Sequence, residues 1–370
     1  MELMKGRNLG FPNITEKDQG EWVSWQRFSR PLTVKVLVRV IVNYNGGEPI
    51  LECIRSLQRQ TLTPSHIVVV DNLSTDGSPE KIRTLFPDVT IIENGYNAGW
   101  GVGCNVGIKS IKTDYVALIN NDAYLDAHCL EEMVRAIQSR PNYGSCASKI
   151  FLWDRPETIE VAGVVIYRDG SSIARGRLQP SERYNDFEEV FCASGCCGLY
   201  RRQLLLQIGL FDPDFFMYCD DTDIGWRLQL TGWKCVYSPK AIAYHAHSKS
   251  SGSYSDFKAY HVERNRLYLC LKFFPFPYFV AGFFFSSYRY LYQVWRSRQG
   301  KGALAEYRKE RSLSYGLKIL MKAHWHAMKN APTMIRRRRE FQSMTHPSRG
   351  RFAKLLHRYG GTANQIASYE

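Results

Sequence analysis

Apolar runs rich in β-branched residues alternate with helical segments over residues 34–120, and this alternation constrains the fold more than any other feature. The helical segments cover about residues 49–59 and 80–85 and a stretch that ends near Lys112. Strands that alternate with helices at this spacing predict βαβ units and a parallel sheet. The apolar runs are VKVLVRVIVNYN (34–45), HIVVVD (66–71), VTIIE (89–93) and YVALIN (115–120). We therefore predict an α/β fold, with a less regular second half that mixes strands and loops.

Polar side chains end each of these predicted strands. In open parallel sheets, ligands bind at the carboxyl ends of the strands, where the strand order reverses. Polar residues can also simply cap the helices that follow, as Asp71, Ser74 and Asp76 could do. Four polar strand ends in succession favour a binding rim over capping alone. The residues concerned are Asn43, Asn45, Asp71, Asn72, Glu93, Asn94 and Asn120–Asp122.

An acidic cluster and two histidines lie about a hundred residues further along the chain. The segment FMYCDDTDIGWR contains Asp220, Asp221 and Asp223, and YHAHSKS contains His245 and His247. Carboxylate oxygens with an imidazole can hold a divalent cation, and another carboxylate can accept a proton. One of the three acids could instead cap the helix predicted to start near Asp223. The combination predicts an enzyme that acts on a phosphorylated substrate.

The net charge of +14 belongs to the carboxyl-terminal part of the chain. Residues 289–370 hold 18 basic and 4 acidic side chains, which leaves the first 288 residues neutral. A neutral core argues against nucleic acid as its ligand, because phosphate neutralisation needs clustered cations. The tail could be a solvated helical face, or it could bind anionic lipid. The apolar segment Phe273–Phe285 beside it is shorter than the roughly 20 residues of a bilayer span. We predict that it lies in the membrane interface.

The remaining bulk features predict the compartment and the domain plan. The first residues lack the apolar core of a signal peptide, and the ten cysteines form no paired CxxC motifs. We therefore expect free thiols in a reducing cytoplasm, with the protein peripheral on the inner face of the cell membrane. The predicted divisions are an extension over 1–33, a catalytic domain over 34–255 and a helical, basic region over 256–370.

Several motifs in register resemble a known family. They are VNYNG, VVVDNLSTDGS, NAGWGVGCNVGI, LINNDA and FFMYCDDTDIGWR, and together they span about residues 36–247. Their order is similar to that of the family 2 inverting glycosyltransferases of the GT-A fold, most closely the bacterial rhamnosyltransferase-like branch. The resemblance implies a Rossmann-like nucleotide-binding sheet joined to a mixed, acceptor-side half.

For the donor, the resemblance implies a nucleotide-sugar site along the strand ends. Asp71 matches the aspartate that meets the base, where a carboxylate can accept the imide N–H of uracil or thymine. Glycines in NAGWGVGCNVG would let the backbone approach the ligand, although a plain turn would use them too. The donor-binding residues implied are Asn43, Tyr44, Asn45, Asp71, Asn97, Gly99, Gly103, Asn105, Asn120 and Asn121.

For the metal, the resemblance implies that Asp122 and a histidine bind Mn²⁺ or Mg²⁺. The motif Asn120-Asn121-Asp122 occupies the position of the family's DxD, with asparagine in place of the first aspartate, which should weaken metal binding without donor. His245 is preferred to His247, which would face the same side of an extended segment. Oxygen ligands with one imidazole suit these cations better than a metal that prefers thiolates.

For the chemistry, the resemblance implies that Asp221 is the general base and that Asp220 stands in for the usual glutamate. Asp223, Trp226 and His247 are expected on the acceptor side. The implied reaction moves a sugar, L-rhamnose or another hexose, from a dTDP- or UDP-sugar to a hydroxyl of a cell-surface glycan or lipid-linked acceptor. The alternatives are a sugar-nucleotide nucleotidyltransferase, disfavoured because VNYNGGEP lacks a basic residue, and a non-catalytic membrane-bound relative.

Overall fold

The computed structural model describes residues 37–62, 66–246, 255–345, 348–362 and 365. The predicted extension over 1–33 and His247 lie outside these residues. Lys35–Glu370 forms one compact unit. Over the described residues, its centre is a ten-stranded mixed sheet with the strand order β10-β12-β6-β11-β4-β1-β2-β3, in which β5 also pairs with β12 and β7 with β6.

The amino-terminal half of the sheet is parallel, as the alternation predicts. Strand β1 (Leu37–Asn43) lies between β2 (His66–Asp71) and β4 (Tyr115–Asn120), and β3 (Thr90–Glu93) adds to β2. Helices α1 (Gly47–Gln58), α2 (Ser78–Leu85) and α3 (Trp100–Ser110) connect these strands. Strands β1, β2 and β4 are buried on both faces, which explains their continuous apolar runs.

The other half of the sheet mixes parallel and antiparallel pairs. Strand β11 (Cys197–Arg201) runs antiparallel to both β4 and β6 (Tyr143–Leu152), and β6 is parallel to β12 (Lys234–His245). A separate two-stranded sheet pairs β8 with β9. The remaining elements are β5 (Ala123–Leu125), α4 (Cys129–Gln138), β7 (Arg155–Val161), β8 (Val164–Ile166), β9 (Ser172–Ala174), a short 3-10 helix (Ser181–Tyr184), β10 (Glu188–Val190), α5 (Arg202–Gln207) and α6 (Asp220–Leu230).

The carboxyl-terminal helices share a hydrophobic core with the sheet domain. Aromatic rings of α7 and α12 surround Trp226 of α6, and Phe352 stacks on it with a centroid distance of 5.0 Å. The predicted apolar segment begins the long helix α8 after Pro275. The helices are α7 (Asp256–Phe273), α8 (Phe276–Arg298), α9 (Ala303–Glu310), α10 (Leu313–Lys329), α11 (Ala331–Thr345) and α12 (Arg349–Tyr359).

None of the helices within the described ranges combines the length and apolar character needed to cross a bilayer. Helix α8 has 23 residues, but arginines and polar residues interrupt its apolar sequence. The ten cysteines are free thiols, and all but Cys219 are buried. Most of them therefore behave as small apolar side chains that fill the core.

Candidate active site

The candidate active site lies at the carboxyl ends of β1 and β4. The chain moves from β1 outward to β2 and β3, and then returns to place β4 on the other side of β1. This reversal is the switch point where open parallel sheets bind ligands. A cavity of about 1560 Å³ opens there, and its sheet-side lining comprises Val42, Tyr44, Asn72, Asn97, Gly99, Trp100 and Asn120–Asp122.

Pairing between β5 and β12 brings Asp122 and His245 together. Strand β5 begins directly after Asp122, and its first residue, Ala123, lies opposite His245 in an antiparallel register. The backbone N–H of Ala246 donates to the carbonyl oxygen of Asp122 at 3.0 Å. As a result, His245 Nε2 lies 3.0 Å from Asp122 Oδ1, although the two residues are far apart in the sequence.

Glu160 orients the imidazole of His245. The Nδ1 atom of His245 lies 2.8 Å from Glu160 Oε2, and both side chains are buried. A carboxylate on Nδ1 fixes the tautomer that leaves the Nε2 lone pair free for a metal. Burial lowers the pKa of His245, but Cys196, Glu160 and Asp122 together raise it well above its usual value. The raised pKa favours the protonated imidazole, whose Nε2–H can donate to Asp122, so a metal that binds Nε2 must displace this proton.

Sequence reasoning missed Glu160. Glu160 lies in the apolar segment TIEVAGVVI, at the end of strand β7. An acidic residue in such a segment is the sequence signal that could have marked it as a functional residue. Buried carboxylates need a partner, and an isolated one in such a segment indicates a distant histidine, cation or metal.

The arrangement of Asp122 and His245 fits a divalent cation. Asp122 and His245 are in direct contact at 3.0 Å, so one cation could be held by the carboxylate and the imidazole together. Across the described parts of the chain, no group of three or more His, Cys, Asp or Glu residues is placed to hold a metal by itself. Mg²⁺ and similar cations are commonly bound by one or two protein ligands together with substrate phosphates. The pair therefore suits a cation that arrives with a phosphorylated ligand.

Asp220 and Asp221 begin helix α6 at the edge of the same cavity. Asp221 Oδ2 accepts the backbone N–H of Gly195 at 3.0 Å, and Oδ1 accepts that of Thr222 at 2.6 Å. Burial raises the pKa of Asp221, and these hydrogen bonds oppose the rise. Burial and the charge of Asp221 raise the pKa of Asp220 to about 8. The raised pKa of Asp220 favours its protonated form, and the two backbone hydrogen bonds favour the carboxylate form of Asp221.

The loop before Asp220 is strained and is held by Asn265. Phe216, Tyr218 and Cys219 all have positive φ, a conformation that costs about 1–3 kcal/mol per residue outside glycine. The carboxamide nitrogen of Asn265, buried in α7, lies within hydrogen-bond distance of the carbonyl oxygens of Phe215, Met217 and Tyr218 at 2.8–2.9 Å. The helix that follows the catalytic domain thus positions the acidic pair.

A second loop joins the two halves of the site. The carbonyl oxygen of Cys196 accepts the backbone N–H of Asn120 at 2.8 Å, while Gly195 donates to Asp221. The loop therefore lies between the pair formed by Asp122 and His245 and the acidic pair. Sequence reasoning missed this loop and Ser172, because glycine and serine in a loop carry no specific signal. Trp100 and Tyr218 also line the cavity; they lie inside the quoted motifs but received no role there.

Two of the residues predicted to bind the sugar-nucleotide donor form a buried hydrogen-bond network. Asn43 Nδ2 donates to Asp71 Oδ1 at 2.8 Å, and Asp71 also accepts hydrogen bonds from Ser74. Asn43 is fully buried, and Asp71 is 4% exposed. Asn121 Nδ2 donates to Asn43 Oδ1 at 3.3 Å, which ties this network to the cavity lining. Asn45 is exposed and accepts the backbone N–H of Thr75.

The other residues predicted to bind the sugar-nucleotide donor either line the cavity or pack inside the protein. Asn97 and Gly99 line the cavity. A side chain at Gly99 would meet the carbonyl oxygen of Phe216 at 2.2 Å, so that glycine is also required by the loop. Gly103 packs against Val42, and the carboxamide of Asn105 pairs with the backbone of Phe211. Gly103 and Asn105 are not part of the cavity lining, and their role in donor binding stays a prediction.

The predicted acceptor-side roles of Asp223 and Trp226 are corrected. Asp223 is fully buried and forms ion pairs with Arg227 and Lys272, since it points into the protein one turn below the acidic pair. Trp226 is 1% exposed within the aromatic cluster of α7 and α12. His247 lies outside the described residues.

The fold and the site are those expected of a transferase that uses a nucleotide sugar. Comparisons with known proteins identify the family. Residues 39–209 match the family model Glycosyl transferase family 2. The chain is 30% identical over 257 residues to an N-acetylglucosaminyl-diphospho-decaprenol L-rhamnosyltransferase of Mycobacterium tuberculosis, which covers 61% of this chain and 81% of that protein. It is 22% identical over 209 residues to the poly-beta-1,6-N-acetyl-D-glucosamine synthase of Staphylococcus aureus, 54% of this chain and 47% of that protein.

The chain belongs to glycosyl transferase family 2. Within the family it falls in the rhamnosyltransferase-like branch, as the sequence motifs predicted, and it is a glycosyltransferase. The fold resembles that of GalNAc-T7 in its complex with UDP, GalNAc and Mn²⁺, with a TM-score of 0.53 and 14% identity over 78% of this chain and 57% of that one. The predicted GT-A fold class is confirmed.

Proposed function

We propose that this protein is an inverting, divalent-metal-dependent glycosyltransferase that moves L-rhamnose or another hexose to a lipid-linked acceptor. The donor is a dTDP- or UDP-sugar, and the acceptor is a hydroxyl of a glycan built on a lipid diphosphate. The observation that carries the proposal is that two pairs of residues, Asp122 with His245 and Asp220 with Asp221, line one cavity. The Mycobacterium relative named above supports both the sugar and the lipid carrier.

The donor lies across the strand ends in this proposal. The buried network of Asn43 and Asp71 supports the floor under the base, and Asn97 and Asn121 present carboxamides to the cavity. Asp122 and His245 would hold Mn²⁺ or Mg²⁺, which neutralises the charge that develops on the diphosphate as it leaves. Glu160 keeps His245 in the metal-binding tautomer.

Asp221 acts as the general base on the acceptor hydroxyl. Backbone hydrogen bonds from Gly195 and Thr222 favour its carboxylate form, while the raised pKa of Asp220 favours a protonated neighbour, so the pair offers one acceptor and one neutral group. Drawing off the hydroxyl proton as the new bond forms contributes about 10²–10⁴-fold in rate. Attack from the acidic side, opposite the leaving diphosphate, inverts the anomeric carbon.

Membrane contact is part of the proposal, with the outer face of α8 as the contact surface. Val280, Phe284, Tyr288, Leu291 and Trp295 recur at helical spacing and are 41–75% exposed. An exposed apolar stripe on a helix with basic neighbours is typical of an element that lies in the membrane interface. We place the protein on the cytoplasmic side, where lipid-linked acceptors meet nucleotide sugars.

The test is a donor and acceptor screen with Asp221→Asn as the probe. Wild-type protein with Mn²⁺, dTDP-L-rhamnose and a lipid-linked sugar acceptor should release nucleoside diphosphate and should form a glycoside of inverted anomeric configuration. Asp221→Asn should bind donor normally and lose about 10²–10⁴-fold in turnover. Release of pyrophosphate from dTTP and L-rhamnose 1-phosphate, assayed in parallel, would point to a nucleotidyltransferase. Near wild-type turnover of the variant would remove Asp221 as the base.

A further inference from the structure

The cavity at the active site extends well beyond the donor-binding rim. Its volume of about 1560 Å³ exceeds the roughly 300–1,000 Å³ of an ordinary small-ligand pocket. From Asp221 it continues past Ser172 and Tyr218 on to helices α7, α8, α9 and α10. The added length lies on the side of the acidic pair, where the acceptor must enter.

One face of α10 forms the outer wall of this extension. Leu313, Leu317, Leu320, Met321 and Met328 recur at helical spacing along the cavity. The small residues Ala323 and Ala327 of α10 are buried in the helix packing instead. The two sets give α10 one face for the protein interior and a second apolar face that lines an open channel.

The other helices complete an apolar groove. Val262 of α7, Val294 of α8 and Leu304 of α9 line it together with the α10 face, and we call this surface the helical groove. Leu317 and Met321 are each 56% exposed, so the groove is open and accessible along its length. An apolar surface of this kind, joined to a catalytic cavity, requires an apolar occupant.

Polar groups lie where the helical groove meets the acidic pair. Lys258, Tyr290 and Gln293 line the cavity. The Tyr290 hydroxyl donates to Glu263, which forms a buried ion pair with Arg289 and lies 3.6 Å from His324 of α10. A cationic side chain and neutral hydrogen-bonding groups suit the phosphate and sugar of an amphiphile. The cavity thus passes from acidic to polar to apolar surfaces. This is the order of the sugar, the diphosphate and the hydrocarbon in a lipid-linked acceptor.

We propose that the helical groove binds the polyprenyl chain of the acceptor and so sets acceptor specificity by chain length. This inference rests on the proposed function, because it assumes that the acceptor is lipid-linked. The sugar hydroxyl then reaches Asp221 while the hydrocarbon lies along α10. The groove selects the carrier, and the residues around Asp221 select the sugar.

The experiment compares two acceptors with the same sugar diphosphate head, one with a decaprenyl and one with a geranyl tail. Both are assayed in detergent solution without bilayers. Wild-type protein should show a lower KM for the decaprenyl acceptor. The variant Leu317→Gln/Met321→Gln should raise that KM about tenfold or more and leave the geranyl KM unchanged. Leu85→Gln, an equally exposed leucine remote from the cavity, is the matched control.

Binding without turnover gives a second readout. Trp325 lines the outer part of the cavity, so its fluorescence should change when decaprenyl phosphate binds and not when geranyl phosphate is added. Trp325→Phe should remove the change. Equal KM values for both acceptors, with no fluorescence response, would overturn the proposal that the helical groove binds the polyprenyl chain. Failure of every donor and acceptor pair would overturn the proposed function, and the fluorescence titration would still test the groove.

Discussion

The carboxamide of Asn265 lies 2.8 Å from the carbonyl oxygen of Tyr218, two residues before the acidic pair. The same nitrogen contacts the carbonyl oxygens of Phe215 and Met217, so one buried side chain holds three groups of a strained loop. Strained backbone persists only where the surroundings determine it. Asn265 is therefore a positioning residue, and it lies in a helix outside the segment matched by the family model.

Replacing Asn265 with alanine should lower kcat about tenfold to a hundredfold, with little change in donor KM. The loop would relax and displace Asp221, and small misplacements of catalytic groups cost rate in this range. Steady-state kinetics and a melting temperature on the same sample separate the two effects. Asn330→Ala, which removes a side-chain hydrogen bond to Tyr268 elsewhere on α7, serves as the control. A loss of kcat that merely follows a loss of folded protein would contradict the positioning role.

Removing the charge of Glu160 should weaken metal binding by about 10–100-fold. Glutamine keeps the shape of the side chain but no longer stabilises the Nδ1–H of His245, and outer partners of metal ligands have effects of this size. The Mn²⁺ concentration for half-maximal turnover and a direct titration of Mn²⁺ with donor nucleotide both report it. Glu157→Gln, an exposed residue on the same strand, should match wild type. If Glu160→Gln matches wild type as well, His245 does not depend on Glu160.

Asp220 should make the folded protein less stable as the pH rises from about 4 to about 8. Burial and the charge of Asp221 raise its folded pKa to about 8, so the folded state binds the proton more tightly than the unfolded chain does. The free energy of unfolding therefore falls across that window. Asp220→Asn removes this contribution, and its advantage in melting temperature over wild type should grow towards pH 8. An advantage that stays constant with pH would show that Asp220 ionises normally.

Breaking the buried ion pairs of Asp223 should cost about 3–5 kcal/mol of folding free energy. Asp223→Ala leaves Lys272 and Arg227 with fewer buried partners, which is the costly way to disrupt such a group. Chemical denaturation measures the loss, and Asp221→Asn provides the comparison from the same helix. Should Asp223→Ala fold as stably as wild type and raise only the acceptor KM, the acceptor-side role would be restored.

The outer face of α8 should bind vesicles that contain anionic lipid. Phe284 and Leu291 are 75% and 71% exposed, and replacing both with glutamine removes the apolar part of the proposed contact. Co-sedimentation with anionic vesicles should fall severalfold for this variant. High salt should weaken the remaining binding, because basic residues supply the rest. Unchanged sedimentation of the double variant would place the membrane contact elsewhere.

The sheet and its rim could be predicted closely because local patterns carry them. The strands His66–Asp71 and Tyr115–Asn120 lie where the apolar runs predicted them, and their polar ends meet at the switch point. Helix α6 begins at Asp220, three residues before the predicted start near Asp223, which places the acidic pair in its first turn. Boundaries of this kind are the least predictable part of an element.

Other parts of the site depend on contacts between distant segments. The approach of Glu160 to His245 arises because β6 pairs with both β7 and β12, and no local pattern encodes that pairing. The family resemblance implies acceptor-side roles for Asp223 and Trp226, which follow the acidic pair in sequence. A helix turns about 100° per residue, so neighbours in sequence point in different directions, and these two point inward.

The stacking of Phe352 on Trp226 has a practical consequence for anyone who shortens this protein. A deletion that starts before Arg349 and removes the rest of the basic tail would also remove Phe352. Helix α6 (Asp220–Leu230) would then lose an aromatic ring that packs on its Trp226. Activity lost in such a truncation would then report damaged packing and would be mistaken for lost lipid attachment. Charge-neutralising substitutions at the exposed arginines are the cleaner way to ask what the tail does.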